Sequence, residues 1–186
     1  MASVVDVVNK ALDKLGYGAI TSLDDGTKAA NLADRTWPLV RDQALRDHPW
    51  NFAVTRTNTA PLSSTPDWDF LYWHELPSDC LRLLEIKDVR SDQYQIEKGR
   101  ILTNESVLYI RYIARIEDAN EYDSLFIDAV ASLLAYEMCE SLTQSNSKMK
   151  NLYGMYENAM LRAKKVDAME NPPATFKTDS WIEVRY

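Results

Sequence analysis

Glycine is scarce in this chain, five residues in 186, which leaves little material for the phosphate-cradling loops that open nucleotide sites. Cysteine and histidine are scarcer still. Cys80, Cys139, His48 and His74 show no C-x-x-C or H-x-x-x-H spacing, so they cannot assemble a zinc site without carboxylates from elsewhere. No metal and no cofactor is expected. Positive charge is in deficit: 21 Lys and Arg stand against 28 Asp and Glu, a net charge of −7. An acidic surface of this kind is not built to grip a nucleic-acid backbone by counterion release. Apolar runs long enough to span a bilayer are lacking, and Met1 to Asn9 carries no basic residue ahead of its apolar positions. The expectation is a soluble protein, without membrane association, made in a reducing cytoplasm. What the chain does have is an ordinary globular composition, 46% hydrophobic and 26% charged, at a length that buries roughly 70% of its unfolded surface.

Helical periodicity opens the sequence. Ser3 and Asp6 form a capping-box start, Val4, Val7, Val8, Ala11, Leu12 and Leu15 follow at helical spacing, and Gly16 supplies a stop. A second helix is predicted from Ala29, Leu32, Ala33, Thr36, Trp37, Val40, Ala44 and Leu45 inward, with Asp34, Arg35, Arg41 and Asp42 outward. Pro38 falls inside it and predicts a kink or two shorter helices. From Trp50 the period changes to that of strands, predicted at 51–59, 68–75, 81–87, 93–97, 100–103 and 107–113, with Lys98-Gly99 as a tight hairpin turn. In the last strand Val107, Tyr109 and Ile113 oppose Leu108, Ile110 and Tyr112, which predicts cover on both faces. Two further helices follow. The third carries Leu125, Phe126, Ala129, Val130, Leu133, Leu134 and Tyr136, the fourth a stripe of Met149, Leu152, Tyr153, Tyr156, Ala159, Met160, Ala163 and Val166, and the two should pair as an antiparallel hairpin ended by Asn171-Pro172-Pro173.

Candidate chemistry is sparse. Ser145 and Lys148 match the S-x-x-K spacing in which a lysine one turn on deprotonates a serine, but no S-D-N or K-T-G accompanies them, and a helix cap beside a solvated lysine explains the pair. Glu137 with Glu140, and Asp123 with Asp128, could act as acid and base but read as a charged wet face. His74-Glu75 lacks the second histidine of a zinc protease helix and reads as a strand-edge histidine. Lys148, Lys150, Arg162, Lys164 and Lys165 are the candidates for a DNA-binding stripe, which amphipathic solvation also explains.

Beyond the proline pair, Ile182, Val184 and Tyr186 alternate with Glu183 and Arg185 after Phe176 and Trp181. Burying such side chains contributes roughly 1.5–3 kcal/mol each. Ordering backbone costs about 1–2 kcal/mol per residue, so the segment is expected to gain its order from a partner that adds main-chain ladder bonds or from many tails engaging together, the alternative being a tail that folds back on its own helices. Extended at about 3.3 Å per residue, residues 171–186 reach on the order of 50 Å.

The order and spacing of several pieces resemble a known family, the head-to-tail adaptor proteins of tailed double-stranded DNA phages, of the tail tubular protein A-like kind. These pieces are Leu15-Gly16 with Ile20 and Leu23, the run His48-Pro49-Trp50-Asn51-Phe52-Ala53, the run from Tyr72-Trp73-His74-Glu75 through Leu76-Pro77-Ser78-Asp79-Cys80-Leu81-Arg82, and Ile110-Arg111-Tyr112-Ile113 leading through Glu117 and Asp118 to Phe126. The likeness spans nearly the whole chain. It implies an α+β, mainly α fold: an antiparallel bundle of about four helices at 1–49 and 115–170, a β-rich insertion at 50–114 between helices two and three, and an extended docking tail at 171–186.

The resemblance also implies a non-enzymatic structural protein of the virion head-tail junction. It would be monomeric alone and would form a ring of twelve copies beneath the portal protein. The ring extends the DNA channel and offers a platform to the downstream tail or nozzle protein. Portal docking would fall to Phe176, Trp181, Ile182, Val184 and Tyr186. Double-stranded DNA would pass through an acidic lumen without specific binding. The reading from another class is a tail-associated cell-wall hydrolase resting on Ser145, Lys148 and the carboxylates of helix three.

Overall fold

A computed structural model describes residues 2–170. The chain begins with α1 (Val4–Leu15), whose start is a reciprocal cap: Ser3 Oγ accepts the Asp6 N–H at 3.1 Å and Asp6 Oδ2 accepts the Ser3 N–H at 2.8 Å. Its end is a left-handed Gly16 at φ +67°. There the Gly16 N–H donates to Asp13 O and the Tyr17 N–H to Leu12 O, both at 2.9 Å, in the paired pattern that closes a helix on glycine. The following loop is pinned by Asn9, whose amide donates to Ile20 O at 3.0 Å and accepts the Ile20 N–H at 2.8 Å.

Helix α2 (Lys28–Asp47) runs unbroken through Pro38, so the expected split into two shorter helices does not occur; Pro38 is exposed. Arg41, expected outward, is buried at 8% exposure. Its guanidinium is charge-paired: Nε donates to Asp42 Oδ1 at 2.8 Å, while Asp42 Oδ2 accepts from Arg115 Nε at 2.9 Å, stitching α2 to the segment after the last strand.

Helices α3 (Ser124–Thr143) and α4 (Asn146–Glu170) form the antiparallel hairpin, turning at a left-handed Gln144. Apolar residues occupy every side of α3, from Phe126 to Cys139, and a helix hydrophobic all round belongs in the middle. It packs against α4, α1 and α2. On α4 the stripe is narrower than expected: Leu152, Met160 and Ala163 are buried, whereas Tyr153 and Val166 are exposed.

Asp128 on α3 bridges Lys10 at 2.9 Å and Lys14 at 3.1 Å on α1. Burial alone would raise this carboxyl, but the two ammonium groups outweigh it and hold it below the usual carboxylate range. A depressed folded-state value stabilises above the unfolded value of about 3.9 and is lost as pH falls through the folded one. Asp128→Asn is therefore expected to make the acid unfolding limb below about pH 4 shallower, measured by circular dichroism, without shifting the neutral-pH midpoint by more than about 1 kcal/mol.

Six strands lie between α2 and α3, in two antiparallel sheets. The first has the order β1 (Val54–Thr59), β6 (Leu108–Ala114), β3 (Cys80–Ile86); the second has the order β2 (Tyr72–Glu75), β5 (Arg100–Thr103), β4 (Tyr94–Glu97). Lys98 and Gly99, both at positive φ, make the two-residue turn between β4 and β5.

Here the expectation of a mainly α bundle carrying a β insertion is overturned. Among the described residues four α-helices are interleaved with two three-stranded sheets, and Ala53, Leu81, Leu84 and Ile113 lie in the same core as the helices. The cause is in β3, where register shifts between Cys80 and Arg82 and between Leu83 and Glu85 mark bulges at Leu81 and Leu84. Both leucines pack on the helical core, whereas Leu83 and Ile86 keep to the opposite side.

The two sheets pack face to face, Ile101 and Tyr94 of the second against Ile86, Leu108, Ile110 and Tyr112 of the first. The Tyr112 hydroxyl, pushed up to about 12 by burial and by the Asp79 carboxylate that accepts from it at 3.2 Å, stays protonated between them. Cover on both faces of β6, expected throughout, exists at Ile113 but not at Val107 and Tyr109, which are exposed.

Candidate functional site

The candidate docking residues Phe176, Trp181, Ile182, Val184 and Tyr186 lie outside the described residues. The structure describes the place from which their segment departs. Asp167, in the last turn but one of α4, is 9% exposed and accepts the Asn51 backbone N–H at 2.9 Å, with His48 Nε2 at 3.1 Å from its other oxygen. The Asn51 amide donates back to Asp167 O at 2.8 Å, and Lys164 Nζ pairs with Asp47 at 2.6 Å.

Local sequence explains the other half of this clamp. Pro49 cannot continue α2, so His48 becomes an extended C-cap and the chain turns sharply at 51–53. The Trp50 N–H then donates to His48 O, and the Ala53 and Val54 N–H groups donate to Trp50 O. Trp50, 1% exposed, fixes the turn in the core: its Nε1 donates to Ala44 O at 2.9 Å and its ring meets Phe126 edge-on at 4.9 Å. The run His48 to Ala53, one carrier of the family resemblance, is thus the joint between α2, α3, the first sheet and the end of α4.

The residues singled out for chemistry are distributed otherwise. Lys148 Nζ donates to Leu15 O at 2.7 Å and so caps α1, while Ser145 Oγ accepts the Lys148 N–H at 3.4 Å as a helix cap does. Asp123 caps α3 through the Leu125 N–H at 2.7 Å, Asp128 is engaged with α1, and Glu137 and Glu140 are exposed. The serine, the lysine and the four carboxylates therefore sit in separate structural roles.

His74, expected at a strand edge, is fully buried. Its Nε2 lies 2.9 Å from Glu105 O, to which it donates, and its Nδ1 lies 3.2 Å from Thr59 Oγ1, so both ring nitrogens have partners. No group of three metal-ligating side chains and no helix long and apolar enough to cross a membrane occurs among the described residues. Of the proposed basic stripe on α4, Lys148 and Lys164 are tied to Leu15 O and Asp47, leaving Lys150, Arg162 and Lys165 exposed.

Two outer faces of the β region stay open. Cross-strand partners share a face, so the pairs Arg56 with Arg111 and Asn58 with Tyr109 place those four residues together. Glu85 joins them opposite Arg111, all on the side of β6 away from the inter-sheet core. With Lys87 they line an open concavity of about 440 Å³. Arg111 pairs with Glu85 at 3.1 Å and Lys87 lies over the Tyr109 ring at 5.7 Å.

On the second sheet, Trp73, Leu102 and Gln95 share the outward face with Glu75, Arg100 and Glu97. The loop before β2 lies against that face and encloses a concavity of about 200 Å³ lined by Asp67, Trp68, Asp69, Phe70, Trp73 and Glu97 among others. Neither face was singled out from sequence. Alternation along β6 names the residues of one side, but only the sheet order brings Arg56 and Arg111 together.

Scanned against protein-family models and against curated proteins, the chain matches none.

Proposed function

We propose that this protein is a structural head-to-tail adaptor of a tailed phage virion. Copies form a ring beneath the portal protein, twelve by the family resemblance, which extends the DNA channel and carries the downstream tail component. The segment 171–186, with Phe176, Trp181, Ile182, Val184 and Tyr186, serves as the portal-docking arm. The observation that carries this reading is the Asp167 clamp: the root of an arm with strand-like alternation is held to the rigid body through His48 and Asn51, residues of the run that carries the resemblance. Load on a docked arm would pass directly into the joint at Trp50 and from there into α3. The net charge of −7 supports the passage of DNA without grip.

The experiment mixes the full chain with purified portal and images the product, then repeats it with a chain ended after Asn171. The full chain is expected to add a second ring, and the shortened chain to lose docking while its unfolding free energy stays within about 0.5 kcal/mol of the parent. Docking by the shortened chain would remove the role of the arm. Failure of the full chain to bind portal would end the adaptor reading.

A further inference from the structure

The two open faces lie on opposite outsides of the paired sheets, and they differ in charge. On the first, Arg56 and Arg111 stand directly across from each other, a like-charge pair that disfavours its own strand pairing. Glu85 answers one of them, Lys87 adds a third cation, and Arg111 Nε is buried with no hydrogen-bond partner among the described residues. Such a surface is completed by an acidic occupant carrying acceptors.

The second face supplies one. Asp67 and Asp69 flank Trp68, which is 75% exposed, and Glu97 lies beside them, so three carboxylates surround the indole against the single cation Lys98 among the lining residues. The loop has a defined shape: the Phe70 N–H donates to Trp68 O at 2.8 Å and the Leu71 N–H to Asn104 Oδ1 at 3.0 Å, so the indole is presented on an ordered turn. An aromatic group between carboxylates suits a surface of arginines, which pair with the carboxylates and stack on the ring. The same chemistry already operates within the chain, where the Arg100 guanidinium lies 5.7 Å from the Trp73 ring centre.

We propose that the loop at 66–71 of one copy docks into the Arg56, Lys87 and Arg111 face of the next. Because the two surfaces are different and sit on opposite sides of one protomer, the contact is head-to-tail and propagates around a cycle or along a filament instead of ending at a dimer. The occupant is a second copy of this chain. Closure into a ring rests on the adaptor reading, whereas the contact itself is open to test on the isolated protein.

The test is zero-length carbodiimide cross-linking of a concentrated equal mixture of ordinary and ¹⁵N-labelled full chain, read by mass spectrometry. Mixed-isotope peptide pairs joining Lys87 to Asp67 or Asp69 are expected, falling about tenfold in a mixture made from Arg56→Glu/Arg111→Glu chains, which keep both the Lys87 amine and the two carboxylates. In a second arm, Arg56→Glu/Arg111→Glu chains and Asp67→Lys/Asp69→Lys chains each lose the Trp68-face contact alone and regain it when mixed, as an increase in sedimentation coefficient.

Absence of mixed-isotope links at Lys87 from a chain that forms rings on portal would overturn this contact and leave the adaptor reading standing. Links from a chain that does not bind portal would do the reverse. A low-salt titration with a duplex oligonucleotide separates the remaining occupant: DNA affinity that is lost in the Arg56→Glu/Arg111→Glu chain, together with no links at Lys87, assigns the basic face to phosphates and overturns the proposal.

Discussion

Trp50→Ala is expected to lower the stability of the folded chain by about 3–5 kcal/mol, the range for truncating a large buried aromatic. For a chain of this size that lowers the thermal midpoint on the order of 10 °C. Trp50 is the largest of the side chains fully enclosed by the core, and its removal leaves Ala44 O without the indole donor as well as opening a void beside Phe126 and Phe52. Trp50→Phe separates the two contributions, since it keeps most of the apolar volume and deletes the N–H, and is expected to cost about 1–3 kcal/mol. Trp68→Ala serves as the contrast. Its side chain is exposed, so its stability effect is expected within about 0.5 kcal/mol. Urea unfolding of the three variants checks the ordering, and equal midpoints for Trp50→Ala and Trp68→Ala would be incompatible with the joint described above.

That contrast also shows which parts of this fold are legible in a sequence. Features specified within a few residues are readable: the Ser3 and Asp6 cap, the left-handed stop at Gly16, the two-residue turn at Lys98 and Gly99, and the strand period that begins after Trp50. Features that depend on what arrives from far along the chain are not. A period-two reading of β3 has no place for the bulges that turn Leu81 and Leu84 toward the helices, which is why the first sheet reads as an insertion and yet shares the helical core. Arg41 reads as a wet-side charge because what covers it arrives from far along the chain: its neighbour Asp42 is also engaged by Arg115, 73 residues on, and Glu117 approaches Arg41 at 3.9 Å. Lys148 reads as solvated because the carbonyl it caps, Leu15 O, is 133 residues away.

The same rule governs the candidate site. Alternation of apolar and charged residues marks out the segment after the proline pair, and it is a local signal. The clamp at its root joins His48 and Asn51 to Asp167, 119 and 116 residues further along the chain, and no spacing rule connects them. Charge counted over the whole chain conceals the two β faces in a similar way, because a net of −7 averages a cationic sheet face with an acidic loop on the opposite side. Composition here speaks to the lumen of a proposed ring and says nothing of how neighbouring copies would meet.

Asp167→Ala carries the second large effect. The carboxylate is nearly buried and serves two groups from the far side of the fold, so its loss removes one bond to the Asn51 N–H and one to His48 Nε2. Hydrogen bonds to a charged group contribute about 1.5–3 kcal/mol each, which places the expected loss at about 2–4 kcal/mol once solvent reaches the freed groups. The loss is local in origin: the last turn of α4 keeps the bond from the Asn51 amide to the backbone carbonyl of residue 167 but loses both carboxylate bonds to the turn, while the hairpin with α3 keeps its own apolar contacts at Leu152, Met160 and Ala163. Asp167→Asn retains an acceptor oxygen for the Asn51 N–H and is expected to lose only about 1 kcal/mol. Amide hydrogen exchange provides the check. Protection at residues 164–170 should fall in Asp167→Ala far more than protection in α3; under the proposed adaptor function, portal docking should weaken in step with it, because a segment whose root is less firmly held must be ordered along a longer stretch when it binds. Unchanged exchange in the last turn of α4 would mean that the clamp does not hold that turn to the body of the fold.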